Sequence, residues 1–214
     1  MSSEVKPRPY HSPRRRAQAE QTRHAILSAA KRLFEKQGYA GTSIAEIARD
    51  ADVALKTVYV GFETKAGVLR ALWNRELRGE RDDLPVAQQE WYVQLLAEPD
   101  PERQLRLNAR NSREGKERIS AVLDIIRGAS PVEPEIAELW NRIQTEYRAN
   151  QRAVAQSVAE KKALQRGLTV DRAADILWTL NNPDVWHLLV GRRGWTPKQF
   201  EKWAADTACA QLLK

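Results

Sequence analysis

Between Ser43 and Phe62 the chain reads SIAEIARDADVALKTVYVGF, and this stretch constrains the fold more than any other. Ser43 and Glu46 stand at the S-x-x-E spacing in which a serine hydroxyl caps the third helical amide while the glutamate reaches back to the serine amide. A helix therefore opens at Ser43, and Ile44, Ile47, Ala48 and Ala51 fall on its buried face. Asp52, Val53 and Ala54 leave room only for a turn, and a second short helix follows to about Gly61. If Ile47, Ala48, Ala51, Val53 and Val58 face a core, then Leu55, Lys56, Thr57, Tyr59 and Val60 turn outward. That spacing is the one used by a helix-turn-helix unit.

The outward face suits a duplex. The second helix of such a unit lies in the major groove, whose edges distinguish all four base pairs. Lys56 offers a donor to guanine or phosphate, Leu55 and Val60 offer methyl groups to thymine, and Thr57 and Tyr59 offer hydroxyls to phosphates. Thr42, Ser43 and Lys65 flank the unit. The free amides at the helix start near Ser43 favour a phosphate, and Lys65 adds a point charge near the next helix start.

Charge agrees with double-stranded DNA as the partner. The first 70 residues hold 13 Lys and Arg against 7 Asp and Glu, whereas the remainder holds 22 against 21, so the basic field belongs to the first third of the chain. A protein that compacts DNA without reading its sequence needs no more than such a field, and it stands as the alternative to a sequence-specific reader.

Around this unit the chain divides into an arm, a DNA module and a larger second domain. Residues 1–16, MSSEVKPRPYHSPRRR, carry Pro, Ser and Arg without periodicity; they are expected to be a flexible basic arm that brings Arg14, Arg15 and Arg16 to an adjacent groove. Residues 17–63 form the helix-turn-helix domain, whose first helix carries Ile26, Ala30, Leu33 and Phe34 on one stripe and stops at Gly38. Residues 64–214 form the second domain. Its first helix, from Glu63 or Thr64, carries Val68, Leu69 and Leu72, and a broken stretch with Pro85, Pro99 and Pro101 follows. Helical periods then run near 102–128 and 133–165, the second closed by Gly167, and a helix runs from about Val170 to Val190, kinked at Pro183. The last helix has Thr196 as its cap, Pro197 at its first position, Gln199 to complete a capping box, and Trp195 to staple onto Phe200. No alternating β pattern appears, and the fold class is all-α.

Other functions find no footing. The single Cys209 excludes an intramolecular disulfide framework and fits a reducing compartment. No run of about 18 apolar residues occurs, and the basic, proline-rich start lacks the apolar core of a secretory signal, so a cytoplasmic protein without membrane association is expected. His11, His24 and His187 are too scattered for a metal site, Asp82 and Asp83 read as solvated, and neither G-x-S-x-G nor a glycine-rich phosphate loop is present. No catalytic residue, cofactor or metal is expected.

The stretch GYAGTSIAEIARDADVALKTVYVGFETKAGVL resembles the DNA-reading module of TetR-type transcriptional regulators, through Gly38, Tyr39, Thr42, Ser43, Ile47, Ala48, Ala51, Val53, Thr57, Tyr59, Phe62 and Lys65 in order. The resemblance implies that Thr42 or Ser43, Thr57, Tyr59 and Lys65 hold phosphates while Leu55, Lys56 and Val60 meet base edges. Three positions depart from the family pattern. Gly61 stands where His or Tyr is usual, Asp52 replaces a turn glycine, and Ala54 replaces a capping Ser. DNA binding is expected to be retained but altered in affinity or operator choice.

The resemblance further implies a repressor that leaves a palindromic operator when a small molecule fills a pocket in the C-terminal helices. Candidate pocket residues are Trp91, Leu95, Leu123, Ile126, Trp140, Ile143, Tyr147, Trp178 and Asn181. Residues 170–190 place apolar side chains around nearly the whole helix, which demands cover on most sides. A homodimer through about 170–213, with Ala204, Ala205 and Ala208 allowing close approach, would supply that cover; a central core helix of a monomer is the other arrangement.

Overall fold

A computed structural model describes residues 13–78 and 86–214. Residues 1–12 of the expected arm, with His11, and the stretch holding Asp82, Asp83 and Pro85 lie outside the described residues. The described chain is helical throughout, its sole β feature an isolated bridge between Leu164 and Leu213. It divides into two compact units, Met1–Ala71 and Leu72–Lys214.

The first unit contains α1 (Pro13–Gln37), α2 (Ile44–Asp50), α3 (Leu55–Phe62) and the start of α4 (Lys65–Arg78). Helix α1 begins at Pro13, a residue pre-set for the first turn, so Arg14, Arg15 and Arg16 are exposed helical residues rather than part of a free arm. Its stripe of Ile26, Leu27, Ala30 and Phe34 is buried, as are Ile47 and Ala48 of α2, Val58 and Phe62 of α3, and Val68 and Leu69 of α4, none more than 6% exposed; α1 packs on α2, and α2 on α3.

The predicted capping box at Ser43 and Glu46 is present. Helix α2 then ends in a paired-bond turn. Asp52 takes φ 53°, its N–H donates to the Arg49 carbonyl at 3.2 Å, and the Val53 N–H donates to the Ala48 carbonyl at 3.0 Å. The left-handed residue here is usually glycine, and a short acidic side chain tolerates it better than most. Ala54 opens α3 with no side-chain capping bond. Between α3 and α4, Glu63 adopts φ 64° and the Thr64 N–H reaches the Phe62 carbonyl at 2.7 Å, a three-residue reversal. Thr64 Oγ1 then accepts from the Gly67 N–H at 2.9 Å. A Cβ on Gly67 would come within 2.0 Å of the Phe62 carbonyl oxygen, so this reversal requires glycine there.

The second unit holds the rest of α4, α5 (Glu90–Ala97), α6 (Pro101–Ala129), α7 (Pro134–Glu160), α8 (Val170–Leu180), α9 (Pro183–Trp186) with a π-helical turn His187–Arg192, and α10 (Pro197–Leu212). Helix α7 packs on α8 and α6 packs on α10, with Leu105, Val154, Val158, Ala173, Leu177, Ala208 and Leu212 in one core and Ala109, Trp186, Phe200, Ala204 and Ala205 in another.

Several boundaries differ from expectation. Helix α7 stops at Glu160, not near residue 165: Lys162 takes the left-handed position with φ 57°, and Gly167 turns the loop beyond. The expected 170–190 helix is broken rather than kinked. Asn182 caps a new helix by accepting from the Asp184 N–H at 2.9 Å, and Pro183 takes its first position. The break separates the two apolar sets, sending Ala173, Ala174 and Leu177 to one core and Trp186 to the other. Much of the all-round hydrophobicity is thereby covered within one chain. Ala204, Ala205 and Ala208 are likewise buried inside the subunit rather than held open for a second copy. The Thr196–Gln199 capping box forms, but Trp195 lies edge-on to Trp203 at 6.0 Å while Phe200 takes Trp186 at 5.0 Å.

Candidate nucleic-acid interface and ligand cavity

Helix α3 holds its outward residues in place through the two it buries. Val58 is 1% and Phe62 6% exposed, which leaves Leu55 at 44%, Tyr59 at 49% and Val60 at 77%, with Lys56 and Thr57 also exposed. Five of the predicted contact residues therefore share one solvent-facing surface. Gly61 is exposed beside them, with open space where a side chain would begin.

The flanking residues behave differently. Thr42 is 2% exposed and its hydroxyl donates to the Gly38 carbonyl at 2.8 Å, so it braces the loop after α1 instead of offering its hydroxyl to a phosphate. Ser43 is exposed, but its hydroxyl serves Glu46. That bond holds the Glu46 carboxyl below the usual range. Lys65 is partly buried; its Nζ donates to the carbonyls of Tyr39 at 2.9 Å and Thr42 at 3.0 Å and lies 4.1 Å from the Tyr39 ring centre. Two of its three donors are thus engaged within the module. Both the Thr42 hydroxyl and the Lys65 ammonium are thus spent on backbone carbonyls of the loop between α1 and α2.

The second unit contains a cavity of about 270 Å³. Trp73 and Leu77 of α4, Trp91 and Tyr92 of α5, residues 108–123 of α6 and residues 143–151 of α7 provide most of its wall. Of the predicted ligand residues, Trp91, Leu123, Ile143 and Tyr147 line it. Leu95 and Ile126 do not, being 1% and 0% exposed within the core. Trp140 and Trp178 also lie off the wall, because each sits one residue, and so about 100°, past a buried helical stripe: Ile136, Leu139 and Ile143 for the first, Ala173, Ala174 and Leu177 for the second. Asn181 is buried behind the wall, where its carbonyl accepts from Tyr147 Oη at 2.7 Å.

Sequence reading missed the polar part of this wall. Asn108, Ser112 and Lys116 line the cavity and recur every four residues along α6, with Gln104 one step earlier on the same face but off the wall, and this spacing is the signal that places them together. Asn108 Nδ2 donates to Gln151 Oε1 at 2.8 Å. Lys116 Nζ donates to the Ser112 hydroxyl, which lies 3.3 Å from Tyr147 Oη. Burial lowers the Lys116 pKa to about 7 and raises that of the Tyr147 phenol. Among the described residues, no group of three or more His, Cys, Asp or Glu could hold a metal, and no helix is long and apolar enough to cross a membrane.

An exposed helix α3 in a helix-turn-helix arrangement is followed in the chain by a helical unit with a mixed apolar and polar cavity. Comparison with known proteins finds the same combination elsewhere. Residues 26–72 match the family model of bacterial regulatory proteins of the tetR family. The regulator AcrR of Shigella flexneri is 39% identical over 56 residues, 26% of each chain, so the matched part is about a quarter of that relative's length. EthR of Mycobacterium tuberculosis is 26% identical over 178 residues, covering 81% of this chain and 78% of its own. The crystal structure of NalD, the secondary repressor of the MexAB-OprM multidrug efflux pump in Pseudomonas aeruginosa, superposes with a TM-score of 0.71 at 26% identity, over 92% of this chain and 98% of that one. The chain is thus similar to TetR-type regulators in the sequence of its DNA-reading segment and, over nearly its whole length, in fold.

Proposed function

We propose that the protein is a sequence-specific transcriptional repressor that binds a palindromic operator as a homodimer and leaves it when a small molecule occupies the cavity of the second unit. The observation that carries this reading is the outward surface of Leu55, Lys56, Thr57, Tyr59 and Val60 on a helix anchored by Val58 and Phe62. Ser43, Thr42 and Lys65 support that surface from the flanking loop. A reader of two half-sites needs its recognition helices roughly 34–36 Å apart, and a ligand that prefers a different spacing by about 5.5 kcal/mol moves the population from 1:99 to 99:1. Helix α4, which runs from the first unit into the second, is the element able to carry that signal. Such a protein acts in the cytoplasm and needs no cofactor.

Selection of bound fragments from random DNA tests the reading. A recovered palindrome, bound at least about a hundredfold more tightly than scrambled DNA at one fixed salt concentration, is the expected result. Equal affinity for all fragments, falling steeply with salt, would instead identify a sequence-indifferent DNA-compacting protein.

A further inference from the structure

Lys116 brings an ammonium into the cavity wall with no anion to answer it. It is 4% exposed, and its Nζ lies 5.7 Å from the Tyr147 ring centre and 5.6 Å from that of Phe200. Among the described residues no carboxylate forms an ion pair with it, and burial alone governs its titration. Three residues earlier on the same helix, Arg113 is also buried, at 8% exposed, but pairs with Glu114, Glu117 and Glu201. The contrast is informative, because a buried cation without a counter-charge is costly and an apolar residue of similar length would fill the same space.

The other charged residues of the wall do not supply the missing charge. The Glu114 carboxylate is held by Arg110 at 2.9 Å and Arg113 at 2.8 Å, and Arg118 and Glu146 are exposed. Elsewhere the wall joins apolar residues such as Trp73, Leu77, Leu123 and Ile143 to uncharged amides such as Asn108 and Gln151, which pair with one another. One buried cation on a surface of apolar and neutral polar groups complements a molecule with an apolar body and one negative charge. A phosphate monoester would bring a second charge that this site does not match.

We propose that the cavity binds a monoanionic carboxylic acid with a compact apolar body, its carboxylate paired with Lys116. Ser112 and Tyr147 extend the site. Lys116 donates to Ser112, Ser112 meets Tyr147, and Tyr147 donates to the Asn181 carbonyl at the break between α8 and α9, so a ligand that draws the ammonium away alters bonding at that break. The proposal rests on the effector reading only for the step from occupancy to DNA release.

Calorimetric titration of the full chain with matched pairs tests it: 1-naphthaleneacetic acid against 1-naphthaleneethanol, and decanoic acid against decan-1-ol. In at least one pair the acid binds the wild type about tenfold or more tightly than its alcohol, and Lys116→Met reduces that preference to about twofold or less while still binding the alcohol. Alcohols binding as tightly as acids, no binding of either acid, or a preference that survives Lys116→Met each overturn the proposal. The wild-type ratio needs no variant, and alcohol binding reports that Lys116→Met is folded. Operator release is followed separately by fluorescence anisotropy. An acid that binds with the expected preference but leaves the DNA bound upholds the carboxylate site and overturns the effector reading.

Discussion

Lys56 and Tyr59 occupy the same exposed surface of α3 but differ in what their side chains can read. An ammonium aimed at a base edge distinguishes guanine, whereas a phenol hydroxyl aimed at a phosphate contributes grip without information. Lys56→Ala is therefore predicted to lose discrimination of about 1–3 kcal/mol at a restricted set of base pairs, and Tyr59→Phe to weaken every sequence alike. Competition binding across single-base operator variants measures both; the opposite pattern would mean that α3 meets the groove through another face. Lys116 makes a second prediction. Its folded pKa of about 7 lies below the ordinary 10.5, so between these values the unfolded chain binds the extra proton and stability rises with pH. From pH 7 to 9 the wild type should gain up to about 1.4 kcal/mol per pH unit relative to Lys116→Met, read by urea denaturation. Glu114, Arg118 and Glu146 are common to both proteins, so the difference isolates Lys116; parallel curves would show that the ammonium is not desolvated as the structure implies.

Among the elements, the junction of α3 and α4 is the least tolerant. Gly67→Ala would drive a methyl group against the Phe62 carbonyl, backbone against side chain with no flexible end to yield. A loss of about 2 kcal/mol or more is predicted from chemical denaturation, and a neutral result would mean that the reversal at Glu63 relaxes freely. Legibility also varied by element. Capping boxes at Ser43 and Thr196 and the outward face of α3 were readable because their signals are local and lie within a few residues of each other. The Asn181–Asn182–Pro183 break was readable only as a kink. Whether a proline bends a helix or starts another depends on whether the preceding residue finds an amide to cap, and Asn182 does. The cavity was half legible: aromatic residues marked its apolar wall, but tertiary packing decides which side of a helix looks inward, as Trp140 and Trp178 demonstrate. The polar ladder from Gln104 to Lys116 was hidden because polar residues at a four-residue interval also describe a solvated face.

For the molecule as a whole, assembly is the property that the internal packing sharpens. With Ala204, Ala205 and Ala208 used against the chain's own helices, the residues left to meet a second copy are those still open, and Leu188 on the π-helical turn is 51% exposed. The predicted mass by sedimentation at micromolar concentration is about twice the 24.4 kDa of one chain. Leu188→Glu should weaken association about tenfold or more by placing a charge in the contact. A wild-type mass of one chain would remove the two-half-site reader.

The bond pair made by Lys65 has a mechanical meaning. The first residue of α4 is bolted to the carbonyls of Tyr39 and Thr42, on either side of the bend that launches α2. Should α4 turn about its own axis, as the proposed release requires, those two bonds would pull on the bend, and α2 behind it would be displaced with them. In that case the reading head is geared to its shaft instead of merely resting on it.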